Sequence, residues 1–487
     1  MSDETKQENF RGRIARGFAW EGLSKLGVQI ISWVSTIWVA RLLSPEDYGL
    51  VATSGLFTGV MSMIMEFGLG AGIVTRKEVT DKELNQCLWL SVTASLILYA
   101  ILFVAAPYIA DAYDLPQLTN ILRVAALGLP IAAWRVVPYS LLLRNLNYRY
   151  RALIEMCGQF IQAASVVVFA MHGFGAWSLV WGYLASGVFL TVAFVATRPK
   201  FGRPTLSTEG IEGILRFGVR ITGARALGFA VGNSDMAMIT SLLGARAAGT
   251  YSVAFNLASA PLDKIGAIFN RVAFPAVARM SDDPGRSRRL LTQMHFALLM
   301  IASPVLIGAS LTAPDLVAVL LTNKWEGAVP VLQIICLANI LRLSGMMMPV
   351  ILEGRGRAEL VLRFQIVSAL LLPLGFAVGS RWGLMGLTTT WLVVYPLIYL
   401  WLLRLALGEV DMRIRDLVGS VVPILLSNLA MAAAVLLARG LAQDLSHLSR
   451  LALSVVVGGV TYAIACYLFI PKTFWHEVRS TLAALRS

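Results

Sequence analysis

The sequence contains few charged residues. Asp, Glu, Lys and Arg together make up only 14% of its 487 residues, whereas 57% are hydrophobic and the mean hydropathy is +0.71. An average soluble domain carries about 25% charged residues, so this chain cannot cover a water-exposed surface with polar side chains. We therefore predict an integral membrane protein.

Cysteine and histidine are also scarce. The four cysteines, Cys87, Cys157, Cys336 and Cys466, all lie inside apolar runs. Cysteine in such a run is typically a small core hydrophobe, not a disulfide partner or a metal ligand. The four histidines show no metal-ligand spacing, and we expect neither a metal nor a cofactor.

Motifs of enzymes and of signal sequences are missing too. There is no Gly-x-x-x-x-Gly-Lys phosphate loop, which argues against a pump driven by ATP. No catalytic cluster of histidines and carboxylates lies on an exposed loop, so we expect that the protein is not an enzyme. The first residues, MSDETKQENFRGRIARGF, are polar and basic and lack the apolar region of a cleaved signal peptide.

Long apolar runs dominate what is present. A membrane-spanning helix needs about 20 such residues, and continuous runs favour helices over a barrel, in which polar and apolar residues alternate. We predict an all-α, polytopic membrane protein with about 14 transmembrane helices. The predicted spans are 19–43, 48–72, 84–106, 117–143, 151–172, 174–197, 212–243, 247–275, 292–313, 328–352, 359–380, 382–403, 417–438 and 450–470.

Basic residues are distributed unevenly between the loops. When residues at the span ends are counted with the adjoining loop, 27 of the 41 Lys and Arg residues fall at the termini and alternate loops, six at the other loops and eight deeper inside spans. Cytoplasmic loops carry the excess of Lys and Arg in membrane proteins. We therefore predict that both termini are cytoplasmic. The same rule explains the net charge of +13 without nucleic acid binding.

The chain contains an internal repeat. WVARLLSPEDYGLVA (38–52) resembles ITSLLGARAAGTYSVA (239–254), with Gly49 aligned to Gly249. Parallel repeats of this kind are a transporter architecture. We predict two six-helix parallel-repeat lobes and a C-terminal helix pair, whose uncharged spans can face lipid on all sides. The predicted segments are a cytoplasmic N-terminus (1–18), an N-lobe (19–200), a C-lobe (201–405) and the helix pair with a cytoplasmic C-terminus (406–487).

Eight basic residues lie inside the predicted spans. A charge in a span costs about 2.5–3.5 kcal/mol on insertion scales and usually faces a wet cavity or a partner. Arginine also presents a planar fork that suits phosphate. We interpret these residues as the lining of a cationic, substrate-binding cavity: Arg123, Arg135, Arg225, Arg342, Lys25, Arg220, Lys264 and Arg271. For Lys25, Arg220 and Arg271, snorkelling to the headgroups is an equal alternative, and Lys264 can instead pair locally.

Three acidic residues in the spans are candidates for coupling or for charge balance. Asp235 lies ten residues after Arg225, and it either balances that arginine or binds a proton or cation. Glu66 precedes the glycine-rich stretch FGLGAG (67–72), which allows helix backbones to approach closely. Asp263 directly precedes Lys264.

Three stretches resemble a known family of transporters. They are RGFAWEGLSKLGVQIISWVSTIWVARLLSPEDYGLVA (16–52), EFGLGAGIVTR (66–76) and GTYSVAFNLASAPLDKIGAIFNRVAFPAVARMSDD (249–283). The sequence is similar to the polysaccharide transporters of the multidrug/oligosaccharidyl-lipid/polysaccharide (MOP) exporter superfamily, and within it to Wzx-type flippases of the colanic acid exporter kind. The resemblance covers roughly residues 10–400.

The resemblance implies a function and its partners. Such flippases have two six-helix lobes in a V and move undecaprenyl-pyrophosphate-linked oligosaccharides to the periplasmic leaflet of the bacterial inner membrane by alternating access. This transport serves exopolysaccharide or lipopolysaccharide synthesis. The implied partners are the lipid-linked substrate, membrane lipids and proteins of a polysaccharide synthesis or export complex, and the architecture can work as a monomer. The C-terminal helix pair would contact the polyprenyl tail.

Three other functions fit the sequence less well. A cation-coupled multidrug exporter of the same superfamily would need an acidic cavity, whereas the spans contain more basic than acidic residues. A membrane-embedded polysaccharide polymerase or ligase would need a large outer loop with catalytic residues, and the predicted outer loops are short. A scaffolding subunit would leave the charges inside the spans unexplained.

Overall fold

The protein is built from α-helices. The computed structural model describes residues 27–470 apart from 28–30, 33, 67, 77, 199–201, 206 and 279–283, and no strand occurs in these ranges. The prediction of an all-α fold is thus confirmed. The helices are α1 (Pro45–Glu66), α2 (Leu69–Thr75), α3 (Asp81–Ala112), α4 (Leu118–Ala125), α5 (Gly128–Ala133), α6 (Val136–Arg144), α7 (Tyr148–Met171), α8 (Ala176–Ala196), α9 (Glu212–Gly232), α10 (Ser234–Ala278), α11 (Pro284–Leu311), α12 (Ala313–Leu320), α13 (Ala328–Gly345), α14 (Met347–Gly354), α15 (Ala358–Gly379), α16 (Gly383–Gly408), α17 (Ile414–Leu441) and α18 (His447–Phe469).

Many of these helices are long and apolar enough to cross a membrane. Within the described part of the chain, nine helical segments meet that criterion, or up to eleven if each of two bent pairs is one span. The protein is therefore a multi-pass membrane protein. The number fourteen remains a prediction, in part because residues 19–26, 28–30 and 33 of the first predicted span (19–43) lie outside the described residues; residues 34–42 of it are helical.

The chain divides into two compact units, unit 1 (Met1–Gly249) and unit 2 (Thr250–Ser487). In unit 1 the core joins α1, α2, α3, α5 and α9. Met65, Ile73, Leu88, Leu129 and Ile214 belong to one buried cluster, each from a different one of these helices. Burial of one apolar stripe per helix holds the helices together, while the other stripes remain apolar because they face lipid.

Several predicted spans of unit 1 are interrupted. The predicted span 48–72 forms α1 and α2, separated at Gly68, whose φ of +59° is readily adopted only by glycine. A Cβ atom on Gly68 would lie 2.6 Å from Cα of Gly218, so the same glycine lets α9 approach. The predicted span 117–143 forms α4, α5 and α6, with a 47° bend before Val136.

The predicted loop at 244–246, between the predicted spans 212–243 and 247–275, coincides with a break at Gly244, where a φ of +81° interrupts the helical backbone within α10. The predicted span 212–243 also bends by 41° near Asn233, which the sequence did not predict. Asn233 donates a side-chain hydrogen bond of 2.8 Å to the carbonyl of Phe229, and Asp235 accepts one of 2.7 Å from the N–H of Met236. The carbonyl of Phe229 also accepts from the N–H of Asn233, so the Asn233 side chain is a second donor to it, and the Asp235 carboxylate satisfies an N–H in the first turn of α10.

The two repeated sequence stretches meet in unit 1, where α1 crosses α10. A Cβ atom on Gly49 would lie 1.8 Å from the carbonyl oxygen of Ala245, and one on Gly249 would lie 1.7 Å from that of Pro45. Only glycine fits at either position, because the two backbones are in direct contact. We call this contact the glycine crossing.

Two polar contacts flank the glycine crossing. The hydroxyls of Thr53 and Thr240 are hydrogen-bonded at 3.0 Å in a buried position. A carboxylate oxygen of Glu46 lies 3.5 Å from a guanidinium nitrogen of Arg246, and both side chains are well exposed. The buried bond fixes the register of α1 against α10, whereas the exposed ion pair contributes about 0–1 kcal/mol.

In unit 2, the C-terminal helix pair α17–α18 packs against α11. Phe296 of α11, Ile424 of α17 and Cys466 of α18 belong to one buried cluster. Tyr462 also donates a hydrogen bond of 2.7 Å to the carbonyl of Met300. The pair therefore buries one face in protein, which corrects the expectation that it can face lipid on all sides.

The cysteines follow the prediction in three positions and differ in one. Cys87, Cys336 and Cys466 are buried free thiols, as expected for small core hydrophobes. Cys157 is a free thiol on the exposed surface of α7. The apolar run around Cys157 does not distinguish these two environments, because a membrane helix is apolar on its lipid-facing side as well.

Candidate functional site

Charged side chains of unit 1 meet near two helix interruptions. Glu66 ends α1 beside the Gly68 break, Arg135 is the N-cap residue of α6 at the bend, and Arg225 lies within α9. Both arginines are close enough to Glu66 to interact electrostatically with its carboxylate. None of the three forms an ion pair within 4.0 Å with another described residue. We call these residues the Glu66 group.

An ion pair adjoins the Glu66 group. Nε of Arg151 lies 3.0 Å from Oε1 of Glu155, and its guanidinium lies 5.6 Å from the ring centroid of Tyr139. Glu66 and Arg135 also interact electrostatically with Tyr139. Three arginines therefore share two carboxylates, so this part of unit 1 has an excess positive charge.

Arg123 has a partner within unit 1. Its Nε donates a hydrogen bond of 3.1 Å to the carbonyl of Phe103, and its guanidinium lies 4.4 Å from the centre of the Phe103 ring. That carbonyl would normally accept from the residue four positions later, but residue 107 is proline and has no N–H. Arg123 thus satisfies a carbonyl that Pro107 leaves free, and this contact accounts for a charge within α4.

Arg342 of unit 2 is held between aromatic rings. Its guanidinium carbon lies 4.8 Å from the centre of the Trp391 ring and 5.1 Å from that of Phe255, within the range of cation–π attraction. Its Nη1 donates a hydrogen bond of 3.0 Å to Oδ1 of Asn339. No carboxylate of a described residue lies within 4.0 Å of it.

The neighbours of Arg342 are themselves fixed in place. Nε1 of Trp391 donates a hydrogen bond of 3.0 Å to the hydroxyl of Tyr251, and Nδ2 of Asn339 donates one of 3.1 Å to the carbonyl of Ala258. The ring of Tyr395 lies 5.7 Å from that of Trp391, one helical turn further along α16. We call Phe255, Asn339, Arg342, Trp391 and Tyr395 the Arg342 cluster.

Asp235 is buried at the start of α10, where its Oδ1 accepts from the N–H of Met236. A carboxylate at this end of a helix is stabilised by the helix dipole. The alternatives of charge balance for Arg225 and of a coupling site stay predictions.

The remaining predicted site residues cannot be placed. Lys25 lies outside the described residues. Four others lie on described helices, but their side chains are outside the described set: Arg220, Asp263, Lys264 and Arg271. The structure thus brings Glu66, Arg135 and Arg225 together in unit 1 and places Arg342 in unit 2.

The sequence analysis missed a charged cluster in unit 2. Asp315 at the start of α12 is fully buried, and its carboxylate lies 2.6 Å from Arg439, 2.8 Å from His447 and 3.7 Å from Arg450. These three basic residues belong to the ends of α17 and α18, so Asp315 anchors the C-terminal helix pair to α12. The sequence could not predict this cluster, because a single aspartate in a predicted loop forms no periodic pattern. Its partners also lie more than 120 residues further along the chain.

A buried polar chain was missed as well. Nε2 of His295 is hydrogen-bonded to the hydroxyl of Ser344, which in turn is hydrogen-bonded to that of Tyr399. This chain fixes α11, α13 and α16 of unit 2 to one another. In the described part of the chain, no group of three or more His, Cys, Asp or Glu side chains is arranged to hold a metal ion.

Curated relatives cover most of the chain. It is 25% identical over 394 residues to the lipopolysaccharide biosynthesis protein WzxC of Escherichia coli (strain K12), a match that covers 79% of each chain. It is 27% identical over 382 residues to the succinoglycan biosynthesis transport protein ExoT of Rhizobium meliloti, which covers 78% of this chain and 77% of that one. It is 25% identical over 488 residues to the teichuronic acid biosynthesis protein TuaB of Bacillus subtilis, with coverage of 96% and 97%.

Solved structures show the same fold at low sequence identity. The lipid II flippase MurJ in an inward closed conformation matches with a TM-score of 0.70 at 13% identity, over 92% of this chain and 98% of that one. An inward-facing multidrug transporter of the MATE family, from the MOP superfamily, matches with a TM-score of 0.60 at 17% identity, over 78% and 95%. A family model described as polysaccharide biosynthesis protein matches residues 38–330, which is more than half of the sequence. The chain therefore belongs to this family of polysaccharide biosynthesis proteins.

Proposed function

We propose that the protein is a flippase that moves an anionic, polyprenyl-pyrophosphate-linked oligosaccharide across the bacterial inner membrane by alternating access. The names of its relatives support this function, since they concern lipopolysaccharide, succinoglycan and teichuronic acid synthesis. Both termini would then be cytoplasmic, in line with the excess of Lys and Arg in alternate loops.

The observation that carries the proposal is the uncompensated positive charge inside the membrane part of the chain. Arg342 has no described carboxylate partner, and the arginines around the Glu66 group outnumber the carboxylates. Excess charge of this kind is costly in a membrane unless it binds something of opposite sign. A substrate that carries anionic groups into the membrane provides this negative charge.

The Glu66 group suits the pyrophosphate. Arg135 lies at a helix interruption, where unwound backbone commonly forms substrate sites in transporters, and Arg225 reaches the same carboxylate from α9. Guanidinium groups bind phosphate oxygens through paired N–H donors. The carboxylate of Glu66 partly neutralises the two arginines and so weakens their affinity for an anion. Without it, the pyrophosphate would bind too tightly to be released on the other side of the membrane.

Export measurements test the proposed function. In cells that lack the native gene, Arg225→Gln and Arg135→Gln should reduce polysaccharide output at least tenfold, because each removes charge from the proposed pyrophosphate site. Arg381→Gln is the matched control, since Arg381 lies at an exposed helix end and should leave output unchanged. Protein level and detergent-extracted size must match the wild type.

The result that would overturn the proposal is normal output from an Arg135→Gln/Arg225→Gln double variant. The multidrug alternative has its own readout in the same cells. If the gene conferred resistance to cationic dyes and left polysaccharide output unaffected, the protein would be an exporter of cations and not a flippase.

A further inference from the structure

We propose that the Arg342 cluster recognises an acidic group on the saccharide part of the substrate, separately from the pyrophosphate. The site rests on the proposed function but goes beyond it, because it assigns the two chemical parts of the substrate to different units. Unit 1 would hold the pyrophosphate at the Glu66 group, and unit 2 would read the sugar.

One edge of the Arg342 guanidinium already donates a hydrogen bond within the protein, and the other edge can donate to a ligand. Nη1 donates to Asn339, whereas neither Nε nor Nη2 donates to any residue in the described ranges. Nε and Nη2 lie on the same side of the guanidinium, and this edge forms two parallel hydrogen bonds to a carboxylate. Arg342 is partly exposed, so a ligand can reach that edge.

The faces of the guanidinium are already occupied. The rings of Phe255 and Trp391 hold it by cation–π attraction. Trp391 is in turn fixed by Tyr251, and Asn339 by Ala258. The charged group is therefore oriented before a ligand arrives, which lowers the entropic cost of binding.

The charge of the Arg342 cluster fits a carboxylate better than a pyrophosphate. The cluster contains one cation among aromatic and amide side chains, whereas a pyrophosphate carries more than one negative charge and is usually met by several donors. One guanidinium edge matches one carboxylate in charge and geometry. A uronic acid carries such a carboxylate on a sugar ring.

Tyr395 supplies the features that a sugar ring needs. Its side chain is partly exposed, and its hydroxyl forms no hydrogen bond to a described residue. It lies close enough to Arg342 to interact electrostatically with it. Its ring is stacked against Tyr399 at a centroid distance of 6.5 Å and its hydroxyl lies beside Gly345, so the group that it offers to a sugar hydroxyl is its own hydroxyl.

Binding measurements on the purified full-length protein in detergent test this site. The probes are methyl α-D-glucuronide, its neutral counterpart methyl α-D-glucoside, and farnesyl pyrophosphate. We expect the wild type to bind the glucuronide at least tenfold more tightly than the glucoside. Arg342→Gln and Arg342→Lys should each lose at least tenfold in glucuronide affinity and stay within twofold of wild type for farnesyl pyrophosphate.

The variants Arg342→Lys and Arg225→Gln separate the effects of charge, geometry and site. Arg342→Lys keeps the positive charge but lacks the two-donor edge. A loss of glucuronide affinity in this variant would therefore show that binding depends on the paired guanidinium donors and not on charge alone. Arg225→Gln is the reciprocal control and should weaken only farnesyl pyrophosphate. A thermal unfolding midpoint close to that of the wild type shows that each variant is folded.

The possible outcomes separate this inference from the proposed function. Equal loss of both anionic probes in Arg342→Gln would overturn the inference, as would a wild type that does not prefer the glucuronide over the glucoside. If the glucuronide depended on Arg342 but the wild type bound no farnesyl pyrophosphate, the pyrophosphate part of the proposed function would fail while the saccharide site stood.

Discussion

At the scale of single residues, Arg123 shows how a charge in a membrane helix can be structural. The proline at position 107 leaves the carbonyl of Phe103 without its helical donor, and Arg123 supplies a donor from α4. A proline within a membrane helix therefore leaves a carbonyl without its helical donor, and here a side chain from another helix donates to it. The sequence shows where that carbonyl is but not which residue donates.

The pairing of Arg123 with Pro107 can be tested by a double-mutant cycle. Arg123→Ala should destabilise the protein by about 1–3 kcal/mol, because a carbonyl in a membrane-spanning helix loses its donor. In a Pro107→Ala background the same substitution should cost less, since an alanine N–H restores the helical bond. Thermal unfolding in detergent measures both, and additive effects would contradict the pairing.

The candidate site was predicted from the sequence only as a set of residues. Arginine in a long apolar run is visible in the sequence, and the structure indeed places Arg135, Arg225 and Arg342 among polar or aromatic neighbours. The aromatic partners of Arg342 were not predictable, because Phe255 and Trp391 are apolar residues in apolar runs. Nothing in a sequence distinguishes such a residue from one that packs against lipid.

At the scale of helices, the glycine crossing sets how closely α1 and α10 approach. Gly49→Ala should prevent this approach, because the added methyl would overlap the carbonyl of Ala245. Gly55→Ala is the matched control on the same helix, since a Cβ there meets nothing within 4 Å. We expect Gly49→Ala to lose at least 1–3 kcal/mol of stability or to fail to fold, and Gly55→Ala to be neutral or stabilising.

Detergent-resistant folded protein, measured by fluorescence-detected gel filtration after heating, separates the two variants. Comparable heating curves for Gly49→Ala and Gly55→Ala would show that the backbones are not in contact. Gly249→Ala should behave like Gly49→Ala, because its Cβ would overlap the carbonyl of Pro45.

Helix extents followed from hydropathy, but helix interruptions did not. The predicted span 151–172 agrees closely with α7, and 174–197 with α8. The breaks at Gly68 and Asn233 were missed because a hydropathy window averages over a single residue. Each break depends on a local backbone or side-chain bond that contributes almost nothing to the average.

At the scale of the whole molecule, the predicted orientation in the membrane can be tested on one helix. α17 contains 28 residues and is about 42 Å long, enough to cross a bilayer. Arg415 lies at its start and Gln443 just beyond its end, and both are exposed. The positive-inside rule places Arg415 in the cytoplasm and Gln443 in the periplasm.

Thiol labelling reads this orientation directly. In a variant without the four native cysteines, Gln443→Cys should react with a membrane-impermeant maleimide added to spheroplasts, and Arg415→Cys should react only after lysis. The reverse pattern would invert the predicted topology. Equal labelling of both before lysis would show that α17 does not span the membrane.

The fold class was predictable for the whole chain because it depends on average composition. The division into two repeats stays a prediction from the sequence, where Gly49 and Gly249 align at an offset of 200. The anchoring of the C-terminal helix pair by Asp315 was not predictable, since its partners Arg439, His447 and Arg450 are identified only once three separate helix ends are brought together.

The ion pair beside the glycine crossing has a consequence for how the two repeats diverged. Gly49 meets Ala245 and Gly249 meets Pro45, so each repeat offers the other the same surface. In a symmetric homodimer such a contact would place a residue opposite its own copy, and like charges would repel. Glu46 and Arg246 occupy equivalent positions and have opposite charges. If the two stretches arose by duplication, covalent fusion of the copies permits this complementarity, and Glu46→Arg or Arg246→Glu would place like charges opposite each other.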